Sequence, residues 1–175
     1  MGYVDTMFGH TDTVCSIDCL SRERAVTCGS RDRTVRIWKI PEESQLIFRA
    51  HRSLSVWSVF KKKPTCVKYG AHENTMPNNG PTENWISSIC SCSYTDLIFS
   101  GSCDEKLRFW KCSTDFKHLD AMGSYHLPGF INDLACDKEG KTIICAVGPE
   151  HKNGRWWKLS LHSSVVVIPL VYTSS

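Results

Sequence analysis

The stretch Gly29-Ser-Arg-Asp-Arg-Thr-Val-Arg-Ile-Trp38 decides the fold. It reads as the end of one strand, a tight polar turn and a second strand that closes on a tryptophan. Upstream, Gly9-His10 precedes two short apolar runs, Thr13 to Leu20 and Arg24 to Cys28, which read as the first two strands. Thr34 to Ile40 is the third strand, and Gln45 to Arg49, beyond a polar loop at Pro41, is the fourth. A histidine before the first strand, an aspartate in the turn and a tryptophan on the third strand can meet through side-chain hydrogen bonds. Such a network fixes the strand pairing and satisfies its own buried polar atoms. The unit expected is therefore a four-stranded antiparallel blade organised on His10, Asp32 and Trp38.

The same word returns at Ser100-Gly-Ser-Cys-Asp-Glu-Lys-Leu-Arg-Phe-Trp110, where Ser100, Asp104 and Trp110 form the second copy of the network. A drifted copy ends at Gly154-Arg-Trp156-Trp157. Self-similarity at this period marks a repeat architecture. Four repeats are expected, over residues 9–49, 50–70, 71–122 and 123–171. The second is truncated: Ala50-His51 opens it, but Leu54 to Phe60 and Thr65 to Tyr69 are its only strands. Ala71-His72 opens the third, followed by Glu73 to Asn84 as a loop, then strands over Trp85–Cys92, Asp96–Ser100, Lys106–Cys112 and His118–Met122. The last has strands over Phe130–Cys136 and Thr142–Val147, a third carrying Trp156 and Trp157, and a final one from Ser164 to Val171. Tyr3 to Phe8 reads as the end of a preceding blade. The class is all-β.

Several functions are disfavoured by composition. A net charge of +3 and a pI near 8.3 do not by themselves name nucleic acid as a partner. No apolar run is long enough for a helix across a bilayer, and no membrane partner is expected. Met1 to Thr6 fits a myristoylation pattern, but the strand reading of Tyr3 to Phe8 explains it better. Gly140-Lys141-Thr142 resembles the end of a phosphate-binding loop, yet Ala135 stands where that motif needs its first glycine. The ten cysteines lie mostly in strand-like runs, and none are paired at the two-residue gap of zinc knuckles. They read as structural thiols of a reducing compartment, with no metal, cofactor or small-molecule substrate. The repeat pattern accounts for His10, His51, His72, Asp32 and Asp104, which leaves no catalytic constellation. The chain reads as a non-enzyme.

With these residues in view, the chain resembles WD-repeat propellers, and within them the WD-repeat subunits of the U3 small nucleolar ribonucleoprotein. The likeness is carried by Val26-Thr-Cys-Gly-Ser-Arg-Asp-Arg-Thr-Val-Arg-Ile-Trp-Lys-Ile-Pro-Glu-Glu-Ser-Gln-Leu-Ile-Phe48, whose segment from Lys39 to Gln45 is not generic to WD repeats. Trp85-Ile-Ser-Ser-Ile89, Thr95-Asp-Leu97, Gly129-Phe-Ile-Asn132, Glu150-His151 and Gly154-Arg-Trp-Trp157 carry the rest. The resemblance implies a seven-bladed ring in the full protein, in the nucleus and nucleolus. It also implies binding to U3 snoRNA beside box C/D ribonucleoprotein proteins, in pre-rRNA processing for the small ribosomal subunit. Against that family, this chain has about half the repeats and lacks two strands after His51. The fold expected is thus a partial WD-repeat β-propeller of three to four blades, open rather than closed. Cys28 stands where the repeats carry Ser or Thr, so the first network is expected to lack its hydroxyl.

In this architecture the loop before the first strand and the turn between the second and third strands emerge on one face. That face is expected to carry Arg31, Arg33, Lys106, His151 and Lys152, cationic donors suited to phosphates, with Glu105 and Glu150 among them. The alternatives are a protein-only WD-repeat scaffold and an incomplete gene product without independent function.

Overall fold

A computed structural model of the chain describes residues 6–20, 23–29, 31–49, 53–76 and 80–172. The chain divides into two compact units, Met1–His51 with Trp57–Pro64, and Arg52–Val56 with Thr65–Ser175. It is all-β, and no helix among the described residues is long and apolar enough to cross a membrane.

The first unit is an antiparallel meander of β1 (Val14–Leu20), β2 (Arg24–Gly29), β3 (Thr34–Lys39) and β4 (Ser44–Arg49), paired in sequence order. β3 supplies the core through Ile37 and Trp38, and β4 adds Phe48. Trp57 packs edge-on against Phe48, with ring centroids 5.0 Å apart. That contact explains why the expected strand from Leu54 to Phe60 stops early. β5 spans only Ser53–Val56, and the chain then leaves the strand to set the Trp57 indole against Phe48. The expected strand over Tyr3 to Phe8 and the Ala50-His51 opening fall largely or wholly outside the described residues, and Thr6 to Phe8 form no strand.

In the second unit, β5 pairs with β6 (Cys66–Tyr69), and β9 (Ile86–Ser91), β10 (Leu97–Ser102), β11 (Lys106–Cys112) and β12 (Leu119–His126) form a complete four-stranded sheet. β12 runs past its expected end at Met122 because a bulge opposite Phe109 and Trp110 restores the register. A three-stranded sheet follows, in the order β13 (Phe130–Cys136), β14 (Thr142–Gly148), β17 (Ser164–Pro169). Between this sheet and the four-stranded one lie Phe99, Leu107, Ile131, Ile143 and Cys145, all essentially solvent-free. Gly101 is required here: a Cβ at that position would run into the Ile131 side chain.

Three expectations need correction. The segment from Glu73 to Asn84 is not a simple loop, since β7 (Glu73–Met76) and β8 (Gly80–Glu83) pair in register as a hairpin. The same Asn, Pro and Gly composition that reads as loop also supplies a hairpin turn, and Pro81 is tolerated in a strand with one partner. Trp156 and Trp157 do not form the third strand of the last blade. β16 (Gly154–Lys158) pairs only with β15 (Glu150–His151), while β17 takes the place beside β14. Its Val166 and Ile168 pack on the core, a burial that the drifted repeat word does not encode. Finally, the reading of the cysteines as structural thiols fails at one pair. Cys92 and Cys136 are disulfide-bonded, because the ends of β9 and β13 bring their Cα atoms within 5.8 Å.

Candidate functional site

In the first repeat, the turn between β2 and β3 is locked by Asp32, whose Oδ1 accepts the Thr34 backbone N–H at 2.9 Å. Its other oxygen meets His10 Nδ1 at 2.5 Å. The far nitrogen of that ring lies 2.7 Å from the Thr27 hydroxyl, which also accepts the Trp38 indole N–H at 2.7 Å. With the imidazole proton on Nδ1, the Thr27 hydroxyl donates to Nε2, and every polar atom of the chain from Asp32 to Trp38 is used. The expectation that Cys28 deprives this network of a hydroxyl is therefore wrong by one residue: Thr27 supplies it. Thr27 lies five positions before Asp32, whereas Ser100 lies four before Asp104, so an ungapped count from the aspartate lands on Cys28.

The second repeat builds the same arrangement. Asp104 Oδ1 lies 2.9 Å from His72 Nδ1, His72 Nε2 lies 2.7 Å from the Ser100 hydroxyl, and the Trp110 indole N–H donates to that hydroxyl at 2.8 Å. Here Arg108 adds a pair to Asp104 at 3.1 Å. Burial alone would raise the carboxyls of both aspartates. For Asp32, hydrogen bonds from His10 and Thr34 outweigh it and bring the pKa from 3.8 down to about 2. For Asp104, His72 and Arg108 do the same, and its pKa falls below 3.8. These networks organise the blades, and the His72–Asp104 pair of the second is fully enclosed.

The residues expected on the basic rim fare differently. Arg31 and Arg33 are exposed on the first unit, and Arg33 sits at φ 55°, in the left-handed region that costs a bulky side chain energy. Lys106, half-buried, and Lys152, exposed, stand on the second unit. Glu105, also left-handed at φ 57°, turns its carboxylate to the Gly129 backbone N–H at 3.2 Å, so one expected anion of the rim is used inside the fold. Glu150 pairs with Lys158 at 3.3 Å.

His151 is the exception. It is 5 % exposed, and its ring lies edge-on to Trp85 and Phe130. The Trp85 indole N–H donates to its Nε2, and its Nδ1 lies 3.1 Å from the Asn153 backbone nitrogen. Burial, and then the charge of Lys152, push its pKa below the usual 6.5. A neutral, enclosed imidazole does not contact phosphate, and His151 leaves the candidate rim for a packing role.

What the sequence reading missed is Asn132. Its side-chain amide donates to the Glu150 carbonyl at 2.9 Å, and its carbonyl accepts the Lys152 backbone N–H at 2.9 Å. One side chain thereby imitates a strand and holds the β15–β16 hairpin to β13. The signal was an amide among the apolar residues of a buried strand, where an unpaired amide would be costly.

Sheets of this form, each organised by a His–Asp–hydroxyl–Trp network, define a WD-repeat protein. The model of the family described as WD domain, G-beta repeat matches residues 2–39 and 71–111. The U3 snoRNP-associated protein-like EMB2271 of Arabidopsis thaliana is 33 % identical, over 96 % of this chain and 41 % of its own length. The U3 small nucleolar RNA-interacting protein 2 of Homo sapiens is 39 % identical, over 73 % of this chain and 32 % of its own. The solved WD40 repeats of RRP9 superpose with a TM-score of 0.90 at 39 % identity, covering 97 % of this chain and 58 % of that one. The chain is a partial WD-repeat propeller similar to these U3 snoRNP-associated proteins, and it spans about two-fifths of the length of its plant relatives.

Proposed function

We propose that this chain acts as a non-catalytic WD-repeat subunit of the U3 small nucleolar ribonucleoprotein. It binds U3 snoRNA and box C/D ribonucleoprotein proteins in the nucleolus, during pre-rRNA processing for the small ribosomal subunit. One observation carries this reading: nearly the whole chain is similar, in sequence and in backbone, to proteins named for U3 snoRNA or the U3 snoRNP. The surface assigned to RNA is the set of exposed or half-exposed cations Arg31, Arg33, Lys106 and Lys152, with His151 removed by its burial.

The test is recovery of U3 snoRNA with a tagged copy of the 175-residue chain. Enrichment of U3 over other small nucleolar RNAs, lost when the four cations are changed to glutamate, is the expected result. Recovery of proteins without U3 would favour a protein-only scaffold. Retention of U3 by the quadruple variant would remove these four residues as the RNA surface.

A further inference from the structure

The segment between β14 and β17 leaves the last blade. β14 pairs directly with β17 from Thr142 to Val147, so the β15–β16 hairpin adds no strand to that sheet. A surface excursion with no other attachment would be a mobile loop. This one is anchored twice. Asn132 grips both sides of His151 through the Glu150 carbonyl and the Lys152 N–H. Beneath it runs a row of rings in edge contact: Trp85 on His151, His151 on Phe130, and Phe130 on Trp157. Phe130 is 1 % exposed, but Trp157, 5.2 Å further along the row, is 46 % exposed.

A large apolar ring half in water is unfavourable for the isolated fold, and here rigid supports keep it there. The hairpin around it carries Lys152 and Lys158, the latter paired with Glu150 at 3.3 Å. A presented indole flanked by cations is the arrangement that stacks unpaired bases and tracks a phosphate backbone. The same end of the second unit carries Lys106. The turn holding it is tied to the start of β13 by the Leu127 N–H to Glu105 carbonyl bond and by the Glu105 carboxylate on Gly129.

We propose that the β15–β16 hairpin is a base-stacking element for single-stranded RNA. Trp157 receives an unpaired nucleobase, Lys152 meets an adjoining phosphate, and Asn132 is a positioning residue that holds the hairpin in place. This inference rests on the RNA-binding reading above and adds the site and mode of contact.

The experiment uses the full chain, a fluorescein-labelled oligouridylate and transcribed U3 snoRNA, with thermal melting of every variant. Trp157→Ala is expected to weaken binding of both RNAs about 5- to 100-fold, the range of one lost base stack. Trp157→Phe should keep most of the affinity, and Lys152→Ala should lower the slope of log affinity against log salt by about 0.7. Asn132→Ala should weaken binding without changing that slope, whereas a merely structural residue would lower the melting temperature and leave the affinity of the folded fraction intact. Independently, irradiation of the wild-type chain on iodouridine-substituted RNA should crosslink to the peptide containing Trp157, which keeps the proposal testable if Trp157→Ala unfolds. Wild-type RNA binding with affinity within twofold for Trp157→Ala, or with no crosslink at Trp157, overturns the stacking element and leaves the RNA reading standing. Absence of binding by the wild-type chain overturns both.

Discussion

A single hydroxyl in each of two repeats carries disproportionate weight. Thr27 and Ser100 sit between a histidine and a tryptophan, accept the indole N–H and complete the aspartate's hold on the turn. Thr27→Val keeps the shape and orphans two buried groups, so it is expected to cost about 1–3 kcal/mol in urea unfolding. Thr27→Ser should recover most of that, and Cys28→Ser should change little; a large effect at Cys28 and none at Thr27 would restore the ungapped alignment. The aspartates add a pH signature. The folded-state pKa of Asp32 is lowered from 3.8 to about 2, so its contribution to stability is fully present above about pH 4 and is lost as the pH falls toward 2. Asp104 shifts in the same direction. Asp32→Asn should therefore make the first unit less stable at neutral pH and its acid decline shallower, measured by unfolding midpoints from pH 7 to pH 2. An equally steep decline in the variant would mean that this carboxylate is not what acid attacks. At this scale the sequence was legible wherever the repeat word is kept, as at His10, Asp32, Trp38, Asp104 and Trp110. It misled at Cys28, where one inserted residue shifts the count, and at His151, where rank by residue type says cation and burial says neutral.

The strands themselves follow from alternation and turn chemistry. β11 and β13 begin and end where their apolar patterns do, Lys106–Cys112 and Phe130–Cys136. What alternation does not encode is which strand a neighbour chooses. The aromatic pair at Trp156 and Trp157 resembles a third strand, but β14 is completed by the Val-rich β17, whose alternate residues reach the core. The close approach of the four-stranded and three-stranded sheets of the second unit depends on Gly101, where a Cβ would overlap the β-branched side chain of Ile131. Gly101→Ala is expected to lower stability by about 1–3 kcal/mol through overpacking, and Ile131→Ala in the same chain should return part of the loss. Calorimetric melting of the two single variants and the double variant measures the coupling. Strictly additive losses would show that the two side chains do not compete for this space.

For the molecule as a whole, the cations assigned to RNA are divided between two units, Arg31 and Arg33 on one, Lys106 and Lys152 on the other. The sequence pattern told these from the other basic residues only by their place in inter-strand turns and loops. The repeat word places a turn after each second strand but does not say which turn side chains are consumed by the fold. Glu105 looked like a charge diluting the rim and is instead a ligand for Gly129, while His151 looked like part of the rim and is instead its packing. If one RNA engages both units, each cation that meets a phosphate contributes about 0.7 to the dependence of log affinity on log salt. Arg31 and Arg33 changed together to alanine should then reduce the slope by about 1.4, and so should Lys106 and Lys152. The quadruple variant should lose about 2.8, because charges on separate units release counterions independently. Two units joined in one chain also raise each other's effective concentration on the RNA, so the quadruple variant should lose more affinity than either double variant. Titration of U3 snoRNA across a series of salt concentrations measures both quantities. A slope that responds to only one pair would confine the RNA to the unit carrying it and leave the other cations as solvated surface.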